Sequence, residues 1–442
     1  MSPEARNAEG ARHGAPPHSQ RLGVRRSPLA GFTGRAALGA LLLASTAAAL
    51  HAQEPTPAIK AALDQLRTTN AVTLEQQVSI CEIPAPPFKE QQRAEEMKRR
   101  FTALGLTNVR IDSIGNVLAE RPGTGRGPTV VFSAHLDTVF PEGTDVKVKR
   151  EGTTYRAPGI GDDCRGLTVL LSVARAMRDN KVATDGNILF VANVGEEGPG
   201  NLRGIRYLFA RPPTKIDYYV AVDGTGLGIT SRAVGSNRYK VSFKGPGGHS
   251  YGAFGMPSPI HALGRAIAKI AEIQVPQSPK TTFNVGIVQG GTSVNTISPL
   301  GAMEMDLRSE SPIELEKLDA RFHKAVYEAL MEENARWPAS EVKITVDIAS
   351  MGVRPAAAPP DTSRIVRTAQ AAAGSLGFQA TLGASSTDAN VPMSLGVPAI
   401  TIDGGGDGNG AHSTGESYTD GDKGWLGPQW ALLIVTALAK SR

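Results

Sequence analysis

Residues 129–135 read Thr-Val-Val-Phe-Ser-Ala-His, and they are the strongest indication of the fold class in this sequence. The run consists of apolar and small side chains without the strict alternation of a half-exposed strand. Such a run is typical of a strand buried on both faces of a sheet. Similar runs occupy residues 188–194 and 218–223, and a helical pattern at 165–180 supplies the crossover that parallel strands require. We therefore expect an α/β protein with a largely parallel mixed sheet flanked by helices.

Side chains that bind metals stand where these predicted strands end. In chain order they are His135, Asp162, Glu197, Asp223 and His412. The second and the fifth lie in glycine-containing loops, and the other three follow the apolar runs. Imidazole and carboxylate ligands at strand ends suit a catalytic zinc site, which needs an open coordination position and a nearby base. Glu196, beside one of the ligands, is the candidate base, and the sequence predicts a metallohydrolase.

The sequence pattern changes after the third apolar run. Two helices and about four alternating strands describe an α+β domain with one sheet face open to water. We predict that this domain is inserted at residues 236–350 and divides a catalytic domain into residues 53–235 and 351–442. The insertion accounts for the long interval between Asp223 and His412. The expected elements of the insert are strands at 239–243, 281–289, 300–308 and 342–348 and helices at 258–274 and 312–336.

Residues 1–52 are predicted to be a signal peptide. A basic stretch ends at Arg35, and an apolar run follows at residues 36–50. This run of about fifteen residues is short for a membrane helix, which needs roughly twenty. We therefore expect export to the periplasm or to the medium, without stable membrane insertion. A membrane anchor is the alternative interpretation.

The positive charge of the chain is concentrated in the same segment. Six arginines stand against two glutamates in residues 1–52, which gives +4 of the net +5 of the whole sequence. The remaining residues are close to neutral. A nucleic-acid partner, which would require a basic surface, is therefore not expected.

Cys81 and Cys164 are the only cysteines, so the sequence contains no disulfide framework. In an exported protein the two could pair, but Cys164 lies in the turn predicted to bind metal, and we do not expect pairing. A nucleophilic Cys164 activated by Arg165 is a further alternative. No histidine stands where it would obviously partner this thiol, and metal-dependent hydrolysis is the stronger prediction.

Five short motifs resemble those of the M20 family of metallopeptidases. They are Ser-Ala-His-Leu-Asp-Thr-Val at 133–139, Gly-Asp-Asp at 161–163, Gly-Glu-Glu-Gly at 195–198, Val-Asp-Gly at 222–224 and Ala-His-Ser at 411–413. They follow one another in the family's order and extend over nearly the whole chain after the predicted signal. The resemblance implies a two-zinc, aminopeptidase-like catalytic domain with an inserted dimerisation, or lid, domain.

The resemblance also implies a role for each predicted metal ligand. Asp162 would bridge two zinc ions. His135 and Asp223 would complete the coordination of one ion, and Glu197 and His412 that of the other. Cobalt or manganese could replace zinc in such a site.

Three further residues receive catalytic roles from the same resemblance. Glu196 would act first as general base and then as general acid. Asp137 would hydrogen-bond His135 and fix its tautomer. His249, in a lid-like motif at residues 245–250, would stabilise the tetrahedral oxyanion, often in the active site of a partner subunit. A homodimer is therefore implied.

Two residues of the insert lie in segments similar to substrate-contacting segments of the family. They are Asn295 and Arg308. A guanidinium forms a two-pronged pair with a carboxylate, which makes Arg308 a candidate for binding a substrate carboxylate. The alternative for Arg308 is an ordinary surface charge at the end of a strand.

The chain departs from the family pattern beside the bridging aspartate. Many relatives have Lys shortly after it, whereas this chain has Asp-Cys-Arg at 163–165. The ligand at position 223 is Asp rather than Glu, which resembles the aminopeptidase, dipeptidase and aminoacylase branches.

We expect a zinc-dependent exopeptidase that acts on small peptides in the manner of an aminopeptidase. An N-acyl-amino acid deacylase or a carboxypeptidase of the same family is the alternative. A protein that binds metal or peptide without turnover would lack a ligand or the base, and none is missing from this sequence.

Overall fold

The computed structural model describes residues 55–440, and the predicted signal peptide at residues 1–52 lies outside them. The α-helices of these residues are α1 (Pro57–Thr68), α2 (Asn70–Cys81), α3 (Gln91–Ala103), α4 (Cys164–Asp179), α5 (Arg203–Ala210), α6 (Pro259–Ala271), α7 (Pro312–Arg336), α8 (Arg364–Ser375), α9 (Asn390–Ser394) and α10 (Leu426–Leu438). The first nine strands are β1 (Thr107–Ile111), β2 (Val117–Arg121), β3 (Val130–His135), β4 (Lys149–Glu151), β5 (Thr154–Arg156), β6 (Ile188–Asn193), β7 (Tyr218–Val222), β8 (Ile229–Ala233) and β9 (Gly235–Lys244). The other strands are β10 (Gly248–His249), β11 (Thr281–Gly290), β12 (Thr296–Ile297), β13 (Leu300–Ser309), β14 (Thr345–Arg354), β15 (Leu382–Ser385), β16 (Ala399–Ile402), β17 (Asp407–Asn409) and β18 (Ser417–Thr419).

The largest sheet has eight strands in the order β1-β2-β6-β3-β7-β16-β8-β15. Its central neighbours β6, β3, β7 and β16 run parallel to one another, and antiparallel pairs join β1, β2 and β8 to them. The three strands predicted from the apolar runs are β3, β6 and β7. The prediction of an α/β fold with a largely parallel mixed sheet is therefore confirmed.

Both faces of this sheet are covered, which is why its central strands have no polar alternation. In β3, Val130 and Phe132 belong to the hydrophobic core on one face, and Val131 belongs to the core on the other. The first core includes residues of α1, α3, α4, α8 and α10, and the second includes residues of α5 and α9. Because β3, β6 and β7 are parallel, their carboxyl ends meet at one edge of the sheet.

A second sheet of four antiparallel strands, in the order β11-β13-β9-β14, lies within residues 235–354. Helices α6 and α7 pack on one face, where Val241, Phe243 and Phe322 are buried in a separate core. The last strand, β14, begins later and ends later than the strand predicted at 342–348. Its extent is set by pairing with β9 over its whole length, from Thr345↔Lys244 to Arg354↔Ser236, and this long-range pairing is invisible in the local pattern.

A small sheet in the order β17-β18-β5-β4 was not predicted from the sequence. Its strands have three residues each, too short for a period of two to be recognised. β17 and β18 flank the loop that contains His412. Across residues 55–440, no helix combines the length and the apolar character needed to cross a membrane.

Candidate metal centre

Three predicted ligands meet where β3 and β7 end. His135 is the last residue of β3 and is buried, and Asp223 directly follows β7. Asp162 lies in the turn before α4. The His135 Nε2 atom is 3.0 Å from Asp162 Oδ1 and 3.9 Å from Asp223 Oδ1.

The other two predicted ligands meet the second oxygen of Asp162. His412 Nε2 lies 3.2 Å from Asp162 Oδ2 and 3.0 Å from Glu197 Oε1. Asp162 thus turns one carboxylate oxygen toward each histidine. The structure brings all five predicted ligands into one cluster, with Asp162 in its centre.

The donor atoms have the separations that a zinc site requires. Two ligands of a tetrahedral zinc ion, each about 2.0–2.1 Å from the metal, are about 3.3 Å apart. One ring nitrogen of His135, one carboxylate oxygen of Asp162 and one of Glu197 lie within 4.8 Å of one another. The His412 side chain is 57% exposed, so the cluster opens to solvent on that side, as a catalytic rather than a closed structural site does. The residues present therefore fit a metal centre.

The electrostatics of the cluster favour a bound cation. Burial and, to a smaller extent, the negative charge of Asp162 raise the pKa of Asp223 to about 8. Hydrogen bonds with Asp162 and Glu197 raise the pKa of His412 to about 10. Buried carboxylates that repel one another are stabilised by a positive charge between them, and a divalent ion supplies that charge.

Asp137 holds the segment that contains the candidate base. Its buried carboxylate accepts hydrogen bonds from the backbone N–H groups of Glu196, at 3.0 Å, and of Glu197, at 2.9 Å. The imidazole Nδ1 of His135 is 3.0 Å from the Asp137 carbonyl oxygen and 3.7 Å from its carboxylate. The group of Asp137 within hydrogen-bond distance of the His135 imidazole is therefore the backbone carbonyl. Asp137 therefore positions the backbone of the candidate base Glu196 and of the predicted ligand Glu197, and its carbonyl orients the predicted ligand His135.

Glu196 is buried beside the cluster and is paired with Arg354. Arg354 Nη1 donates to Glu196 Oε1 at 3.0 Å, and Nη2 donates to the carbonyl oxygen of the same residue. Burial raises the pKa of Glu196, and the positive charge of Arg354 opposes that shift. Arg354 was not predicted as a site residue because the last strand of the insert was expected to end at residue 348. The strand continues to Arg354 and carries this side chain to the base.

Glu416 is a second residue that the sequence did not reveal. Its buried carboxylate accepts hydrogen bonds from the backbone N–H groups of Gly159, Gly161 and Asp162, at 2.8, 2.8 and 3.0 Å. Burial raises its pKa to about 7. Glu416 thereby holds the turn that presents Asp162. In the sequence, Glu416 is marked only by its position four residues after His412. That spacing does not indicate a contact with the Asp162 turn unless the fold is known.

The three predicted residues of the insert lie elsewhere. His249 is exposed, and its Nδ1 accepts from the backbone N–H groups of Tyr251 and Gly252, each at 3.3 Å. The carbonyl of Asn295 accepts from the N–H of Ser250 at 2.9 Å, so the loops of His249 and Asn295 adjoin. Arg308 donates to Asp306 at 2.7 Å. Within residues 55–440, no hydrogen bond or ion pair joins these three to the metal-ligand cluster, and their roles stay predictions.

Sequence comparison gives a family match and a related enzyme. The model of peptidase family M20/M25/M40 matches residues 131–424. The chain is also similar to a succinyl-diaminopimelate desuccinylase from Burkholderia lata, with 28% identity over 276 residues, which is 57% of this chain and 72% of the relative. All five clustered ligands lie inside the matched range.

Solved structures share the fold. The aminopeptidase PepT of Bacillus cereus has a TM-score of 0.68 at 22% identity, with 86% of this chain and 99% of that chain covered. The YXEP protein of Bacillus subtilis, described as a dinuclear metal binding peptidase of the M20 family, has a TM-score of 0.63 at 17% identity, with 85% of this chain and 99% of that chain covered. Both likenesses concern the architecture, since the identities are low.

Proposed function

The chain belongs to peptidase family M20/M25/M40, whose members are hydrolases, and from that premise we propose that it is a two-zinc exopeptidase. Its activity would be the removal of the amino-terminal residue from small peptides. The observation that carries the proposal is the position of Asp162, whose two carboxylate oxygens face two different histidines. A carboxylate in that position can be shared by two metal ions, with the buried Glu196 as the neighbouring base.

Each ion would be bound by Asp162 and by two further side chains. His135 and Asp223 would bind one ion, and His412 and Glu197 the other. When bound, the zinc ions would activate a water molecule and polarise the scissile carbonyl. Cobalt or manganese would present the same charge to these ligands.

Glu196 would move the protons of the reaction. Its carboxylate would take a proton from the attacking water and give it to the departing amine. Arg354 would keep this carboxylate oriented and ionised, and the Asp137 carboxylate would hold the backbone from which it projects. In a dimer, the loop that carries His249 in one subunit would reach the metal-ligand cluster of the other subunit. His249 would there donate a hydrogen bond to the oxyanion of the reaction.

A homodimer formed through the insert is part of this proposal. Among residues 55–440, strand β11 is an edge strand paired with β13 alone, and Ile287 and Val288 near its end are exposed. An unpaired edge with exposed apolar side chains supports pairing with a second copy. We also propose export of the protein, on the basis of the signal-like residues 1–52.

Deacylation of an N-acyl amino acid is the second candidate function. The similarity to a succinyl-diaminopimelate desuccinylase favours it. Both reactions hydrolyse an amide with the same residues in the same roles. They differ in whether the substrate has a free or an acylated amino terminus.

Mass-spectrometric product analysis separates the two candidates. The zinc-loaded protein is incubated with one set of tripeptides in free, N-acetylated and N-succinylated form. Release of the first residue from the free peptides alone is the expected result. Release of acetate or succinate would assign the deacylase activity, and release of a carboxyl-terminal residue from blocked peptides would assign a carboxypeptidase and make Arg308 the next residue to replace.

When the pH is lowered, the activity of the Arg354→Met variant is expected to fall at a higher pH than the activity of the wild-type protein does. Arg354 lowers the pKa of Glu196, so removal of its charge raises that pKa. The base must be deprotonated, and the acid limb of the kcat/KM profile should therefore move upward by about one pH unit. The Arg354→Lys variant keeps the positive charge, and the acid limb of its kcat/KM profile should shift less. An unchanged acid limb in Arg354→Met would show that Arg354 does not act through Glu196.

A further inference from the structure

Helices α2 and α4 pack against each other in antiparallel directions. Thr73 Oγ1 of α2 lies 3.1 Å from Ser172 Oγ of α4. Farther along α2, Gln77 accepts a hydrogen bond from Arg165 near the beginning of α4. The two helices therefore run antiparallel. These two contacts define which residues of α2 lie opposite which residues of α4.

This register places the two cysteines of the chain opposite each other. Cys81 lies eight residues after Thr73 (81 − 73), and Cys164 lies eight residues before Ser172 (172 − 164). Eight residues of helix advance roughly 12 Å, so equal steps along antiparallel helices end at the same level. Cys81 is the last residue of α2, and Cys164 is the first residue of α4.

Both thiols are fully buried in one small hydrophobic cluster, with Tyr155, Ile160 and Tyr418. Cys81 Sγ donates to the carbonyl oxygen of Pro158 at 3.6 Å. Burial raises the pKa of the Cys81 thiol, and the adjacent Cys164 sulfur raises it further. The helix register and the shared cluster therefore place the two side chains next to each other in a dry environment, and both are free thiols in this structure.

We propose that Cys81 and Cys164 are a disulfide-forming pair that fastens the end of α2 to the beginning of α4. Oxidation breaks two S–H bonds and forms one S–S bond. The two protons and two electrons pass to an oxidant of the disulfide class, such as oxidised glutathione, which is reduced to two thiols. Pairing was not expected from the sequence, because Cys164 is close to the metal turn. The fold revises that expectation, since Cys164 is the first residue of α4 and its side chain is buried in the same hydrophobic cluster as Cys81.

The disulfide would stabilise the turn that presents Asp162. Cys164 follows Asp162 by two residues, and its backbone N–H donates to Gly159 at the beginning of the turn. A covalent link from there to α2 closes a long loop, residues 81–164, and reduces the freedom of the unfolded chain. If the proposed metal centre is correct, the oxidised protein should also release zinc more slowly. Formation of the disulfide itself does not depend on that proposal.

The experiment refolds the full chain from denaturant in a buffer of oxidised and reduced glutathione. Free thiols are then alkylated in denaturant, and the digested peptides are mapped by mass spectrometry. The expected products are a Cys81–Cys164 linked peptide pair, an intact mass lower by two hydrogen atoms and a melting temperature higher by roughly 5 °C or more than that of the reduced protein. Because both thiols are buried, oxidation of the already folded protein should be much slower than oxidation during refolding.

Cys81→Ala and Cys164→Ala are the matched controls. Each should lack the linked peptide and should melt at the same temperature with and without reductant. The mapping of the wild-type protein decides the question even if a variant folds poorly. Recovery of two alkylated cysteines, of separate glutathione adducts or of a disulfide between two chains would overturn the proposal. Zinc loss to a chelator, compared between oxidised and reduced protein, tests the effect on the turn separately.

Discussion

The Glu196→Gln variant is expected to have a kcat lower than that of the wild-type protein by roughly 10²–10⁴-fold, the contribution of a well-placed general base. Glutamine has nearly the same shape as glutamate but cannot accept the proton of the attacking water. The change keeps a hydrogen-bond acceptor for Arg354 Nη1, so the local structure should persist. Single-turnover kinetics on the preferred tripeptide measure the chemical step directly, with zinc content determined on the same sample.

The zinc content of Glu196→Gln should equal that of the wild-type protein, because Glu196 is outside the ligand cluster. Glu142→Gln is the matched control, since Glu142 is an exposed glutamate that pairs with Lys89 at the surface. Its kcat should not change. A Glu196→Gln protein that retained more than a tenth of the wild-type kcat would remove Glu196 from the role of base and with it the proposed mechanism.

The strand-end part of the site could be predicted from the sequence because local patterns determine it. A continuous apolar run predicts a buried strand, and parallel strands bring their carboxyl ends to one edge. His135 and Asp223 follow from these two rules. Glu197 follows in the same way, because β6 is the parallel neighbour of β3. The α/β fold class rests on the same three runs.

Contacts between distant parts of the chain could not be predicted in this way. Arg354 reaches Glu196 across 158 residues of sequence, and Glu416 reaches the Asp162 turn across 254. The first interaction depends on how far strand β14 extends. The second depends on where the small sheet that contains β17 and β18 places the loop between these strands. The two cysteines show the same limit. Pairing was not expected because Cys164 lies in the turn predicted to bind metal, whereas the register of α2 against α4 places the two cysteines opposite each other.

The Asp162→Asn variant is expected to bind fewer zinc ions than the wild-type protein and to lose activity by more than about 100-fold, the upper end of what the loss of a group that only orients a metal ligand costs, since both proposed ions would lose a shared ligand. An amide offers one neutral oxygen where the carboxylate offers two charged ones. His135 and His412 would then have no common anionic partner. Metal analysis after gel filtration measures the stoichiometry, and kcat/KM on the same tripeptide measures the activity.

Thermal unfolding distinguishes loss of a ligand from loss of the fold. Without metal, the charge of Asp162 pairs with His135 and His412 but also raises the pKa of the buried Asp223. Its removal therefore weakens two favourable interactions and relieves one unfavourable interaction, so the melting temperature of the metal-free variant should be only slightly lower than that of the metal-free wild-type protein.

The stabilisation expected from binding of the proposed zinc ions should respond differently to the substitution. A ligand at a thousand times its dissociation constant adds about 4 kcal/mol to the stability of the folded state. Asp162→Asn should forfeit most of that gain, whereas the exposed control Asp145→Asn should keep all of it. If zinc stabilised Asp162→Asn as strongly as the wild-type protein, Asp162 could not be the ligand shared by the two ions. The ions would then have to be held by the remaining four side chains, two to each ion, which is fewer protein ligands than a catalytic zinc site has. The zinc-dependent shift in melting temperature is therefore the measurement that connects the geometry of this one carboxylate to the two-metal mechanism.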